Sequence, residues 1–160
     1  MKIHMRSGAG RGSTKLSAFD SALISAGVAN FNLIRLSSII PAEAVVLNKQ
    51  NPDEDFPEPG AWGDRLYVVM AEMRIDIVGD EAWAGIGWVQ DRISGRGLFV
   101  EHEGESEQGV SGEIVRSLKQ LQSSRGLDFG NINILTKGVV CVDIPVASVV
   151  LAVFKSSPWT

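Results

Sequence analysis

Two adjacent serines, Ser37 and Ser38, stand near the end of an apolar run that starts at Asn30 and closes before Pro41. A serine hydroxyl acts as a nucleophile when the surrounding protein activates it. The β-branched and aromatic residues of the run favour a buried strand, and the proline limits how far that strand continues. We therefore expect a strand to carry both hydroxyls into the protein. A serine pair alone is also typical of ordinary strand ends and turns.

A carboxylate, Glu101, lies in a second apolar segment that runs from Gly97 to Gly104. Three apolar residues precede Glu101, so this segment is predicted to form a strand. A carboxyl group held on a strand can give or take a proton at a reacting centre. The alternative is that Glu101 begins a solvated acidic turn, because three further glutamates follow it within six residues.

Four short segments closely resemble the pyruvoyl-dependent arginine decarboxylases. They are residues 16–23, 26–27, 30–41 with the serine pair, and 97–104 with Glu101. The resemblance implies an α+β fold of stacked β-sheets flanked by helices, an αββα-type sandwich. It also implies one domain over residues 1–160, assembled as a homotrimer or a dimer of trimers with active sites near the subunit contacts.

The same resemblance implies that the chain cuts itself between Ser37 and Ser38 into fragments 1–37 and 38–160. The Ser38 hydroxyl would attack the carbonyl of Ser37, elimination from the ester would leave dehydroalanine, and hydrolysis would give a pyruvoyl group and ammonia. This covalent cofactor would form a Schiff base with an amino-acid substrate and take up the electrons left when carbon dioxide departs. Neither pyridoxal phosphate (PLP) nor a metal is expected.

The implied substrate is L-arginine and the implied product is agmatine. Two alternatives remain open: the same chemistry on another amino acid, or a homologue that never cleaves and acts as a binding or scaffold protein. Ser17 stands where the family often has asparagine, and residues 66–88 match the family poorly in detail.

The resemblance gives roles to further side chains. Glu101 matches the family's proton donor, and Asn32 matches a polar residue beside the pyruvoyl site that orients a carbonyl. Asp20 matches a carboxylate that binds the guanidinium end of the substrate. Asn32 also suits a strand edge, and Asp20 has a competing explanation, since Ser17 and Asp20 have the spacing of a reciprocal helix cap.

Composition limits the remaining function classes. The chain has 160 residues, of which 44% are hydrophobic, and a formal net charge of -4. These values suit one domain with a proper core and argue against a nucleic-acid partner, which requires a basic face. Cys141 is the only cysteine and is expected to be buried, and His4 and His102 lack the spaced partners of a metal site. We expect no membrane span and a cytoplasmic location.

The elements that must position these residues follow from the hydrophobic pattern. The glycine-rich segment 8–15 is expected to be a flexible loop, because it fits no phosphate-binding motif. A short helix should open at Ser17 and close at Gly27, and residues 48–65 should form an irregular connection.

The later part of the chain is predicted to be mostly strands. Alternation over residues 66–77 predicts a strand with one buried and one polar face. Residues 83–88 contain two glycines, so the pattern does not distinguish a further strand from a helical segment there. Helical spacing through Val110, Ile114 and Leu118 predicts a helix that ends before Gly126, and three apolar runs follow it. These three runs, at 132–135, 138–144 and 146–154, should supply the remaining strands.

Overall fold

The computed structural model describes residues 1–48 and 60–160. Within these ranges the chain forms two helices and nine strands. In chain order they are β1 (Lys2–Arg11), α1 (Lys15–Ala26), β2 (Asn32–Arg35), β3 (Ile39–Ile40), β4 (Val45–Leu47), β5 (Arg65–Ile75), β6 (Glu81–Gln90), β7 (Gly97–Gly104), α2 (Glu107–Arg125), β8 (Asn133–Val140) and β9 (Val146–Ser157).

The strands form two sheets that pack face to face. Sheet 1 has the order β2-β5-β9-β1-β4, and sheet 2 has the order β3-β7-β6-β8. Met5 and Phe99 belong to a buried cluster between the sheets. Ala22 belongs to a second cluster that joins α1 to sheet 1, and Ile114 to a third that joins α2 to sheet 2. The four layers run helix, sheet, sheet, helix, so the αββα sandwich is confirmed.

The glycine-rich start of the chain belongs to strand β1, so the expectation of a flexible loop was wrong. A Cβ on Gly8 would lie 2.2 Å from the carbonyl oxygen of Ala22, and one on Gly10 would lie 2.4 Å from the backbone nitrogen of Ala22. Neither position has room for a larger side chain. These glycines let α1 lie directly on the strand, which is a packing role and not a source of flexibility.

Helix α1 begins earlier than the pattern indicates. The Thr14 hydroxyl accepts a hydrogen bond from the Ser17 amide, and the Ser17 hydroxyl accepts one from the Thr14 amide, both at 3.0 Å. The predicted cap of Ser17 with Asp20 was therefore wrong, because Thr14 offers the same reciprocal pairing one turn earlier. Gly27 ends the helix with a φ of 79°, as predicted.

Strand β5 confirms the predicted strand over residues 66–77 but not its single buried face. It lies between β2 and β9, and its residues from Val68 to Ala71 are all buried. Both faces are covered because α1 packs on one side of sheet 1 and sheet 2 packs on the other. An alternating apolar and polar pattern indicates that one face of a strand is exposed to solvent. A strand at the centre of a four-layer sandwich is covered on both faces, so the pattern does not hold there.

The segment around residues 83–88 is strand β6, and its glycines face α2. A Cβ on Gly87 would lie 2.2 Å from a methyl carbon of Ile114, so glycine is required for helix α2 to approach sheet 2. The helix itself is confirmed. It begins after Ser106, whose hydroxyl accepts from the Gly109 amide at 3.1 Å, and Gly126 follows its end with a φ of 62°.

The three apolar runs of the tail form two strands. The first run and the start of the second are joined in β8, and the third run is β9. Cys141 lies between them and is only 1% exposed, which confirms the expected burial. Most of the connection predicted over residues 48–65 lies outside the described residues. No helix in residues 1–48 or 60–160 is long and apolar enough to cross a membrane.

Candidate active site

The serine pair lies where the chain passes from sheet 1 to sheet 2. β2 ends at Arg35 and pairs in parallel with β5, whereas β3 begins at Ile39 and pairs with β7. The predicted single buried strand was therefore wrong: the run forms two short strands at the edges of different sheets. Among the described residues each of these strands pairs on one side only, and between them Ser37 is exposed and Ser38 is half-buried.

The backbone of Ser38 adopts an unusual conformation. Its φ is 68°, in the left-handed region, which costs an L-residue about 1–2 kcal/mol. The carbonyl of Ser38 accepts a hydrogen bond from the amide of Phe99 at 2.8 Å, which extends the pairing of β3 with β7 by one residue. This pairing holds Ser38 in a conformation that a free chain would seldom adopt.

The side chain of Ser38 meets Glu101, which lies two residues beyond Phe99 on β7. The Ser38 hydroxyl oxygen is 3.0 Å from Oε1 and 2.8 Å from Oε2 of the carboxylate, so the hydroxyl donates and Glu101 accepts. Glu101 is half-buried within a strand, so the alternative of a solvated acidic turn was wrong. The fold brings together two predicted residues that are 63 positions apart in the sequence.

Ser38 and Glu101 both line a cavity of about 940 Å³. Phe99 and Val100 contribute apolar lining beside them. Small-molecule sites commonly enclose about 300–1,000 Å³. The cavity is therefore large enough for an amino-acid substrate, with a nucleophile and a carboxylate in contact at its wall.

Helix α2 supplies the rest of this lining, and sequence reasoning missed its contribution. The signal was present, because the polar residues recur at helical spacing on a face away from the apolar one. His102, next to Glu101, lies on β7 with its ring Nε2 3.0 Å from the Ser117 hydroxyl, which ties α2 to the strand that carries Glu101. The α2 residues that line the cavity are Arg116, Ser117, Lys119, Gln120, Leu121 and Ser123.

The turn that joins β6 to β7 fixes where β7 begins. One carboxylate oxygen of Asp91 accepts from the amides of Ile93 and Ser94, at 2.9 and 2.6 Å, and from the Ser94 hydroxyl at 2.9 Å. These bonds, chiefly the one from the Ser94 amide, hold the pKa of Asp91 below its usual value. The turn is therefore stabilised by an ionised carboxylate.

Asn32 and Asp20 are not brought to this cavity within one chain. The side-chain amide of Asn32 donates to the carbonyl of Gly63 at 2.6 Å, at the start of β2. Asp20 is exposed on α1, the outer layer on sheet 1, and its carboxylate forms no hydrogen bond or ion pair with the residues that the structure describes. Neither residue lines the cavity that contains Ser38.

A comparison with protein families matches almost the whole chain. The family model described as pyruvoyl-dependent arginine decarboxylase covers residues 2–154. The chain belongs to this family. Ser38, Glu101 and the cavity between β7 and α2 all lie within the matched region.

Curated members of the family show the same relationship over most of their length. The protein of Pyrococcus abyssi is 31% identical over 153 residues, which is 95% of this chain and 93% of the relative. That of Thermococcus kodakarensis is 31% identical over 89% of this chain and 87% of the relative. That of Halobacterium salinarum is 39% identical over 66% of this chain and 62% of the relative. Each is named a pyruvoyl-dependent arginine decarboxylase.

Membership of a pyruvoyl-dependent family implies a covalent pyruvoyl group, and the surroundings of Ser38 fit one. Residue 38 lines a cavity with space for a substrate, and a carboxylate lies within hydrogen-bonding distance of its side chain. Among residues 1–48 and 60–160, no three or more His, Cys, Asp or Glu side chains are grouped so that they could hold a metal ion.

Proposed function

We propose that this chain is a self-processing decarboxylase that converts L-arginine to agmatine and carbon dioxide. The observation that carries the proposal is the contact between the Ser38 hydroxyl and the Glu101 carboxylate at the wall of a cavity. The name of the family and of its curated members supports arginine as the substrate. The single cysteine in the sequence is compatible with a cytoplasmic enzyme.

The first reaction is performed on the chain itself. The Ser38 oxygen bonds to the carbonyl carbon of Ser37 while the C–N bond between the two residues breaks, leaving an ester and a free amine. Loss of the Cα proton of residue 38 and of its Cβ–O bond then releases Ser37 as a carboxylate and leaves dehydroalanine. Water replaces the nitrogen, which departs as ammonia, and residue 38 becomes the pyruvoyl group.

Two features of Ser38 support this reaction. Glu101 already accepts the hydrogen bond of the Ser38 hydroxyl, so it is in position to take the proton as the oxygen attacks. The left-handed backbone adds strain next to the bond that breaks, and cleavage relieves it.

Glu101 has a second task in the decarboxylation. The pyruvoyl group supplies a ketone that bonds the substrate amine and accepts the electron pair left by carbon dioxide. Glu101, beside residue 38 and half-buried, then delivers a proton to the α-carbon of the substrate. Phe99 and Val100 give the lining beside that carbon an apolar surface.

The remaining predicted residues reach the site from a neighbouring copy of the chain. The family resemblance assigns Asp20 to the substrate guanidinium and Asn32 to a carbonyl beside the pyruvoyl group. In one chain Asp20 lies on the outer layer of sheet 1, whereas the cavity lies beside the outer layer of sheet 2. A homotrimer, alone or paired, resolves this separation by placing α1 of one copy against the cavity of the next.

Intact-mass spectrometry of the purified, denatured protein tests the proposal. Two fragments that divide between Ser37 and Ser38, the larger with a ketone in place of its amino terminus, are the expected result. Incubation with L-arginine should then release carbon dioxide and agmatine. A full-length mass that persists on incubation would overturn the proposal, and cleavage without turnover of arginine would overturn its choice of substrate.

A further inference from the structure

One wall of the cavity is a positively charged stripe on helix α2. Arg116, Lys119, Gln120 and Ser123 line the cavity at helical spacing. The opposite face of the same helix packs Ile114 and its apolar neighbours onto sheet 2. The helix therefore has one face that anchors it and another that presents cations to the space beside Ser38.

The two cations of this wall differ in their partners. The guanidinium of Arg116 is paired with Glu113, three residues earlier on the helix. The side chain of Lys119 is exposed and forms no hydrogen bond or ion pair with residues 1–48 or 60–160. The only carboxylate in the described lining is Glu101, which accepts from the Ser38 hydroxyl before cleavage and, once that hydroxyl is gone, serves as the proton donor proposed above. The ammonium group of Lys119 is thus available to a ligand.

An arginine molecule has three distinct ends, and the charge of the wall distinguishes them. A cationic surface repels the guanidinium and attracts the α-carboxylate. The amine must be directed at residue 38, so only the carboxylate can be directed at α2 without a loss of favourable charge interaction. The guanidinium is then directed away from α2, where a carboxylate is needed to receive it.

We propose that Lys119, with Arg116 beside it, binds the α-carboxylate of the substrate and so determines the orientation in which the substrate enters the cavity. This inference rests on the function proposed above. Because the carboxylate is the group that departs, the interaction contributes to capture of the substrate and disappears when carbon dioxide is released. The product then presents two positive charges and no carboxylate to Lys119, which favours its release.

Calorimetric binding to the self-cleaved protein tests the role of Lys119 apart from turnover. Argininic acid keeps the carboxylate and the guanidinium but lacks the amine, so it is not decarboxylated, and agmatine lacks the carboxylate. Lys119→Met should raise the dissociation constant of argininic acid by about three- to fivefold, the size of one exposed ion pair. The dissociation constant of agmatine should stay the same or fall. Lys119→Glu should change both dissociation constants further in the same directions.

Lys155→Met is the matched control, because Lys155 lies on β9 over the ring of Tyr67, outside the cavity. It should change the binding of neither ligand. In turnover experiments Lys119→Met should raise the KM for arginine with little change in kcat. Equal weakening of both ligands, or unchanged binding of argininic acid, would overturn the inference.

Failure of the inference can be told from failure of the proposed function. An uncut chain, or a cut chain that does not release carbon dioxide from arginine, would contradict the proposed function in the unsubstituted protein. A cut and active protein in which Lys119→Met binds argininic acid normally would contradict the role of Lys119 alone.

Discussion

Ser38 combines a left-handed backbone with a hydroxyl bonded to Glu101, and only the hydroxyl is indispensable to the proposed cleavage. Ser38→Ala should leave the chain whole, because no oxygen remains to receive the acyl group. Ser37→Ala is the matched control and should still be cut, since residue 37 contributes only its backbone carbonyl. Denaturing intact-mass spectrometry measures both, and cleavage of Ser38→Ala would exclude the mechanism.

Glu101→Gln tests the carboxylate that meets Ser38. Glutamine has the same size and can still form a hydrogen bond, but it cannot carry a proton. We expect slower self-cleavage and, in the cleaved fraction, a loss of decarboxylation of about 10²- to 10⁴-fold. Carbon dioxide release per cleaved chain is the measurement. Glu103→Gln, exposed on the same strand, should behave normally, and near-normal turnover by Glu101→Gln would remove the assigned role.

Sequence reasoning at this scale found Ser38 and Glu101 separately, through the resemblance. It could not supply their contact, because nothing in either segment specifies the register of β3 on β7. It also missed the left-handed φ of Ser38, since a serine carries no signal for a conformation imposed by the neighbouring strand. Lys119 carried no signal for a ligand, because a lysine toward the C-terminal end of a helix is already explained by its favourable interaction with the helix dipole.

Among the elements, the contact of α1 with β1 depends most on small residues. Gly8→Ala would place a methyl group 2.2 Å from the carbonyl oxygen of Ala22, and overpacking of this kind typically costs about 1–3 kcal/mol. Gly112→Ala, in the interior of α2, is the control, because no other part of the described chain comes within 4 Å of a Cβ placed there, apart from the helix's own backbone and the adjacent residues. This substitution should raise the free energy of unfolding by about 0.5–1 kcal/mol. Urea unfolding measures the free energy of unfolding of both variants. An unchanged free energy of unfolding for Gly8→Ala would refute the packing role of Gly8.

The turn between β6 and β7 should make stability depend on pH. The pKa of Asp91 is lowered in the folded chain by the hydrogen bonds from Ser94 and Ile93, so the ionised form stabilises the fold. That contribution is present above the usual aspartate range and is lost as the pH falls through about 4 and then through the lower pKa of the folded state.

Asp91→Asn should therefore melt at a lower temperature than the unsubstituted chain at neutral pH, and the difference should close in acid. Thermal unfolding followed by circular dichroism across this pH range is the measurement. Asp128→Asn provides a comparison, since the Asp128 carboxylate accepts one hydrogen bond from the part of the chain that the structure describes, donated by the Gly130 amide. A difference for Asp91→Asn that stays constant with pH would show that the charge of Asp91 has no part in holding the turn.

Hydrophobic spacing predicted the type of most elements and failed where packing overrides local preference. α2 and β5 were found because their periods are clear. β1 was missed, since glycines chosen for close approach to α1 look in sequence like a loop. β8 was divided in two because Thr136 and Lys137 interrupt the apolar run without interrupting the pairing with β6.

For the whole assembly, the proposed sharing of sites between copies predicts complementation. Asp20→Ala and Glu101→Gln should each be nearly inactive alone. In a trimer formed by refolding equal amounts together, about a quarter of the sites would combine an intact Ser38 and Glu101 with Asp20 of the next copy. Activity well above that of either variant is expected, and its absence would place Asp20 outside the shared site.

The resemblance alone suggested this arrangement, because surface contacts between identical chains leave no periodic pattern in the amino-acid sequence.

Fragments 1–37 and 38–160 would remain interleaved after cleavage. β1, from the first fragment, lies between β4 and β9, which both come from the second. Within residues 1–48 and 60–160 no strand pairing crosses the serine bond itself, since β2 and β3 belong to different sheets. The cut therefore removes a covalent link without opening a sheet.

The position of the cut between Ser37 and Ser38 makes the protein suitable for circular permutation. β1 and β9 are antiparallel neighbours, so the start of β1 lies beside the end of β9, and a short linker can join them. A permuted gene that opens at codon 38 would encode a protein whose first residue already lies at the cavity wall. With Ser38→Ala at that end, chemical transamination with glyoxylate as the amine acceptor would convert the amino-terminal alanine into the same pyruvoyl ketone, which would separate the evolution of a self-cutting precursor from that of the catalyst it produces.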